Sequence, residues 1–271
     1  MNFRRQTLGD TAKLAGVGLH SGESVSVSLH PATDGITFRR GSDCVAAKPE
    51  NVVDTSRCTR LSNVSTVEHF MSAFAALGIT DVTVEVDAAE MPGLDGSALP
   101  VVEAVLAAGL VEIGSATLHG PFARVFDKGE SHSVAVATGE GWWRYCFDTG
   151  AAWPGLQDFE IRITEEAYRE AVAPARTFCF EHELEAIRKA GLGRGLDESS
   201  ALVIGQGSYL NEARFSDEPA RHKLLDLLGD LYLSGVPPQL LNVVAEKSGH
   251  TANVAAARKL AEHVKIEFTA N

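Results

Sequence analysis

Apolar residues alternate with polar ones in two early stretches, Val25-Ser26-Val27-Ser28-Leu29 and Ile36-Thr37-Phe38-Arg39, with Pro31, Asp34 and Gly35 between them. A period of two predicts half-buried antiparallel strands, because successive side chains on a strand point to opposite faces. The period then changes. Ser65 precedes Val67, Phe70, Met71, Phe74 and Leu77 at helical spacing, and Gly78 is placed to end the helix. A strand over 81–86, a turn-rich loop (Met91-Pro92-Gly93-Leu94-Asp95-Gly96) and an apolar helix over 99–108 follow.

The remainder repeats this order without obvious identity. Strands are predicted near 121–126, 132–137, 143–147 and 159–163, then short helices near 164–172 and 181–190. Ser216, Asp217 and Pro219 introduce a helical run through Leu224, Leu225, Leu228, Leu231 and Tyr232 that stops at Gly235. A strand over 240–245 and a helix over 252–263 close the pattern. The recurrence predicts an α+β fold made by pseudo-duplication, with domains at 1–115 and 116–271 meeting near Ile113-Gly114-Ser115. Each is expected to pack a mainly antiparallel sheet against helices.

Composition narrows the function classes. A chain of 271 residues with 45% apolar content can bury a core in each half. A net charge of -12 argues against nucleic acid or an anionic membrane surface as partner, so any phosphate must be held locally. Cys44, Cys58, Cys146 and Cys179 have no C-x-x-C spacing, which suits reduced thiols in the cytoplasm and reads as small core residues. No run of 18 apolar residues predicts a transmembrane helix, and the start, Met-Asn-Phe-Arg-Arg-Gln-Thr-Leu, lacks the apolar stretch of an export signal.

His222 and Asp226 lie four apart on one helix, so both side chains leave the same face. Imidazole and carboxylate are zinc ligand types, and a third ligand would leave the open position that hydrolysis needs. The alternative is a solvated polar pair on a helix surface. Glu68 and His69 open the matching helix of the first half. A general base beside a metal ligand suits activation of water, whereas Ser65-x-x-Glu68 also matches a capping box.

His250 follows Lys247-Ser248-Gly249, a small-residue turn where backbone N–H groups can meet an anion. Asp230, one turn beyond Asp226, could orient it and keep it protonated, or could be an exposed helix charge. Thr177 could donate to an oxyanion. Lys223 points roughly 100° away from His222 around the helix and could reach a phosphate. His20, among the glycines of 16–22, could approach a ligand, while His30, His119, His132, His182 and His263 read as surface or packed residues.

Six segments together resemble one family: Gly-Val-Gly-Leu-His-Ser-Gly at 16–22, Ser-Thr-Val-Glu-His at 65–69, Leu-Asp-Gly-Ser-Ala at 94–98, Ala-Arg-Thr-Phe at 175–178, Arg-His-Lys-Leu-Leu-Asp at 221–226 and Lys-Ser-Gly-His at 247–250. They occur in the order found in the UDP-3-O-acyl-N-acetylglucosamine deacetylases of lipid A synthesis. The resemblance implies two similar two-layer α/β sandwich domains, an insert near 142–158, and a zinc ion between the halves. It implies His69, His222 and Asp226 as ligands, Glu68 as general base, and His250 as acid or electrostatic partner supported by Asp230. Thr177 would hold the oxyanion, Phe178 would contact substrate, and Lys223 and Lys247 would lie near the diphosphate. The implied enzyme is a cytoplasmic, monomeric zinc amidohydrolase acting on a nucleotide sugar.

Three segments depart from the family pattern. Phe147-Asp148-Thr149-Gly150-Ala151-Ala152-Trp153-Pro154 lacks the histidine of a Phe-x-His-Pro-like stretch. Gly193-Arg194-Gly195-Leu196-Asp197-Glu198-Ser199 replaces a Gly-Gly-Ser stretch, and Ser56-Arg57 stands where apolar residues precede Cys-Thr. A zinc deacetylase of another N-acylated amino sugar and a non-catalytic binding protein are the alternatives.

Overall fold

The computed structural model describes residues 1–120 and 125–269. Two five-stranded sheets dominate it. In the first, the strands run in the order Ala12–Val17, Ser24–Pro31, Val82–Val86, Ile36–Arg40, Asp43–Ala46. In the second the order is Val125–Lys128, Ser133–Thr138, Leu241–Glu246, Trp142–Phe147, Gln157–Arg162. The topologies are identical: in both, the last strand in sequence inserts at the centre and makes the one parallel pairing, and the others are antiparallel. The pseudo-duplication read from the sequence is therefore real. Of the strand predicted near 121–126, residues 121–124 lie outside the described residues.

The helices are α1 (Glu68–Leu77), α2 (Leu99–Ala108), α3 (Glu165–Ala171), α4 (Leu184–Lys189), α5 (Glu218–Tyr232) and α6 (His250–His263). α1 and α5 occupy equivalent places, each leading into the central strand of its sheet, and they pack on one another. Every residue of α1 is buried, as expected of a helix sandwiched between a sheet and another helix. Gly78 ends it with φ 70°, the left-handed geometry glycine adopts without strain. α6 begins two residues earlier than its spacing suggests, so His250 is the first residue of that helix.

A third sheet escapes periodicity altogether. Leu110–His119 pairs antiparallel with both Asn2–Leu8 and Lys265–Thr269, and the chain passes between the halves along it. No helix among the described residues is long and apolar enough to cross a membrane. The cysteines are free thiols, but none is a core residue: Cys44 is exposed and the other three are half-buried, since their strands and loops border the cavity or solvent.

α1 and α5 meet backbone to backbone at Gly229, where an added Cβ would stand 2.1 Å from the Glu68 carbonyl oxygen. Gly229→Ala would gain about 1 kcal/mol of helix propensity, but the contact is with main chain and cannot swing aside. Overpacking should win, with a net loss of roughly 2 kcal/mol or more. Thermal melting checks this, and an unchanged or raised midpoint would contradict the packing.

Candidate active site

The α1–α5 contact brings His69 and Glu68 of the first half against His222 and Asp226 of the second. His222 Nε2 is 3.5 Å and His69 Nε2 3.8 Å from Asp226 Oδ1, and one ligand atom of each residue lies within 4.8 Å of the others. Ligands about 2.0–2.2 Å from one tetrahedral ion stand roughly 3.4 Å apart. All three side chains are buried, so the solvated-pair alternative for His222 and Asp226 does not hold.

The chemistry of the set fits a cation. Asp226 Oδ1 is buried with no hydrogen-bond partner, an arrangement that is costly unless a positive charge satisfies it. His222 Nδ1 donates to the Ala175 carbonyl at 3.0 Å, which leaves the Nε2 lone pair facing the cluster. Burial, with His222 beside it, pushes His69 down to about 3, and burial also lowers His222, so both imidazoles are neutral and could each offer a lone pair. Burial would raise Asp226, but Lys223 and the neighbouring histidines overcome it and hold the carboxyl well below its ordinary range.

Glu68 makes no capping box. Ser65 Oγ donates to the Ala89 carbonyl, no side chain caps α1, and the Glu68 carboxylate accepts the Thr59 backbone N–H at 2.9 Å. Its other oxygen is 3.9 Å from His250 Nε2. Burial lifts the Glu68 carboxyl to about 8 despite the attraction of His250. Asp230 is fully buried rather than an exposed helix charge, and accepts from His250 Nδ1 at 3.0 Å and Asn253 Nδ2 at 3.0 Å. Burial alone would depress His250, yet Asp230, Asp226 and Glu68 hold it up at about 9, so it carries a proton at neutral pH.

Glu68, His69, His222, Asp226 and His250 line a cavity of about 870 Å³, ample for a large ligand. Thr177 and Phe178 line it, positioned by a buried clamp. The Arg176 guanidinium pairs with Glu218 at 2.9 Å and also donates to the Ser199 and Glu212 carbonyls, tying the segment after Thr177 to the start of α5. Lys223 lines the cavity too, but its ammonium turns back to Asp226 Oδ2 at 2.9 Å. Lys247 reaches Asp148 at 2.7 Å. Leu184, Ile187, Leu192, Leu196 and Leu210 add apolar side chains to the cavity lining. Two of the departing segments line this space, through Ser56, Arg57, Gly193 and Leu196, and the third is tied to its edge by the Asp148–Lys247 pair.

His20 borders the cavity as its motif suggests, with Glu90 accepting its backbone N–H at 2.8 Å. Sequence reasoning passed over two residues. His132 lines the cavity beside Asp127, and Thr59 bridges Glu68 and Asp230; neither has a partner at informative spacing. His30, His119 and His263 sit in peripheral contacts.

Residues 5–262 match the family described as UDP-3-O-acyl N-acetylglycosamine deacetylase. The chain belongs to this family. Among its relatives, the UDP-3-O-acyl-N-acetylglucosamine deacetylase of Haemophilus influenzae strain PittEE is 36% identical over 280 residues, covering 93% of this chain and 88% of the relative. The protein of the same name from strain 86-028NP is 35% identical over the same shares. Family membership makes the chain an N-deacetylase hydrolase of a metalloenzyme family, and the His69–His222–Asp226 group is where the described residues could hold an ion.

Proposed function

We propose that this chain hydrolyses the acetamide of UDP-3-O-acyl-N-acetylglucosamine to acetate and the free amine, a step of lipid A synthesis. The observation that carries it is the orphaned Asp226 Oδ1 between two neutral imidazoles, flanked by the Glu68 carboxyl and a protonated histidine on the lining of a large cavity. Zinc is the ion of this reading, because two histidines and a carboxylate are a hydrolytic zinc set. Held by His69, His222 and Asp226, it would supply a Lewis acid that acidifies water and polarises the acetyl carbonyl.

The chain's own groups do the rest. Glu68 accepts the proton of the attacking water, and the C–O bond forms as the carbonyl becomes an oxyanion. The Thr177 hydroxyl donates to that oxyanion, and the positive charge of His250 stabilises it. The C–N bond then breaks with a proton delivered to nitrogen from His250 or Glu68, and acetate leaves. Phe178 packs against the sugar, while Lys223 and Lys247 face the diphosphate once they exchange their carboxylate partners for it. The same reading takes residues 1–115 and 116–271 as the domains, and a monomer in the cytoplasm, where four free thiols stay reduced.

A second reading keeps the chemistry and changes the sugar, favoured by the two departing segments that line the cavity and the third paired to Lys247 at its edge. Acetate release from the UDP-sugar and from other N-acetylated amino sugars, with zinc-loaded protein, separates the two. Turnover of the UDP-sugar is expected, and total inactivity on it would sink the first reading. Metal binding without turnover of any sugar would leave a binding protein.

The charge on His250 gives a pH test. Asp230→Asn removes the nearest carboxylate that offsets burial, so the imidazole should lose its proton at a lower pH. The rate requires the protonated form, present below its pKa, and the alkaline fall in kcat should therefore begin at lower pH than in the wild type. An unmoved alkaline limb would remove His250 as the titrating acid.

A further inference from the structure

We infer that Thr59 is a positioning residue that locks the general base of one half to the histidine–aspartate pair of the other, an inference that rests on the deacetylase reading. Thr59 is fully buried and lies behind the cavity wall, so it does not meet substrate. Each of its polar groups is spoken for. Its N–H donates to Glu68 Oε2 at 2.9 Å, its carbonyl accepts the Val67 N–H at the start of α1, and its hydroxyl donates to Asp230 Oδ1 at 2.5 Å. The same hydroxyl oxygen is 3.4 Å from His250 Nδ1.

The hydrogen-bond inventory gives these contacts direction. Asp230 Oδ2 is taken by His250 Nδ1–H and by Asn253 Nδ2, so Oδ1 depends on the Thr59 hydroxyl. With both oxygens held, the carboxylate cannot rotate, and His250 keeps Nε2 directed at Glu68 and Asp226. One residue thus fixes where Glu68 takes a proton and where His250 gives one, across elements from both halves. Without the hydroxyl, a buried carboxylate oxygen loses its partner and the imidazole loses its reference.

Thr59→Val keeps the shape and both backbone contacts and deletes only the hydroxyl, while Thr59→Ser keeps the hydroxyl. The valine variant should lose about 10–100-fold in kcat on the acylated UDP-sugar, the range of one hydrogen bond to a charged group, with KM within about twofold and metal content unchanged. Serine should recover most of the rate. In parallel, NMR of the metal-loaded protein without substrate reads the His250 Nδ1 proton, whose low-field signal should move in the valine variant and return in the serine one.

Near-wild-type kcat with valine, equal losses in valine and serine, or an unmoved His250 signal would each overturn the inference. If valine does not fold, Thr59→Ala makes the same deletion without new apolar contact, and the serine comparison decides on its own if alanine also fails. A wild-type protein inactive on the UDP-sugar would overturn the deacetylase reading instead, and the NMR arm would still decide the role of Thr59.

Discussion

Replacing Glu68 by glutamine is expected to lower kcat by about 10²–10⁴-fold, the contribution of a positioned general base, with metal content at the wild-type level. The amide oxygen can still accept from the Thr59 backbone N–H, so the start of α1 should keep its place. Lost is the capacity of the ionised carboxyl to take a proton; by lifting it to about 8, burial makes that form a stronger base and also a smaller share of the protein below that pH. Glu68 is outside the His69–His222–Asp226 group, so the ion should stay. Rate and metal content measured on one preparation make the test. A near-wild-type rate would reduce Glu68 to a partner for the Thr59 main chain.

Asp226→Ala should instead remove the ion and, with it, nearly all turnover. Removing partners that only orient ligands typically weakens a metal about 10–100-fold, so losing a ligand itself should exceed about 100-fold. The rest of the site suffers as well. Lys223 donates to Asp226 Oδ2 and is held above its ordinary range by Asp226 after burial is overcome. Alanine leaves that ammonium with no partner at 2.9 Å, beside two imidazoles. Metal content after dialysis, paired with a melting curve, separates a lost ion from a lost fold. Full metal retention would show that the two histidines suffice and that Asp226 serves Lys223.

The chemistry-bearing helices were legible because they obey a period. His222 and Asp226 show themselves at i and i+4, and the identical sheet topologies follow from a recurrence of strand, helix, strand, helix. The joining of His69 to His222 was not legible from spacing, because it depends on two helices 150 residues apart meeting face to face. Ser65-x-x-Glu68 was ambiguous for a physical reason. The pattern that caps a helix is also the pattern that places a carboxylate at its first turn, and only the Thr59 contact decides between them. Gly229 reads as a weak point in a helix, yet it permits the approach of α5 to α1. The third sheet was missed because Asn2–Leu8 carries mostly polar and charged residues, and only Thr7 and Leu8 are buried.

The cavity has two unlike walls. α1 and α5 form one, largely inside the core and in main-chain contact at Gly229, where a small shift would be felt at His69, His222 and Asp226 together. The other runs through residues 178–211, with a pair of three-residue strands, the short α4 and mostly half-buried or exposed side chains. Substitutions there are expected to leave the first wall standing, because loops and short elements tolerate change better than a packed helix pair. On the proposed reading, most of the chemistry sits on the rigid wall and part of the grip on substrate, Phe178 included, on the looser one, where a lineage can alter what it holds at less risk to how it cuts.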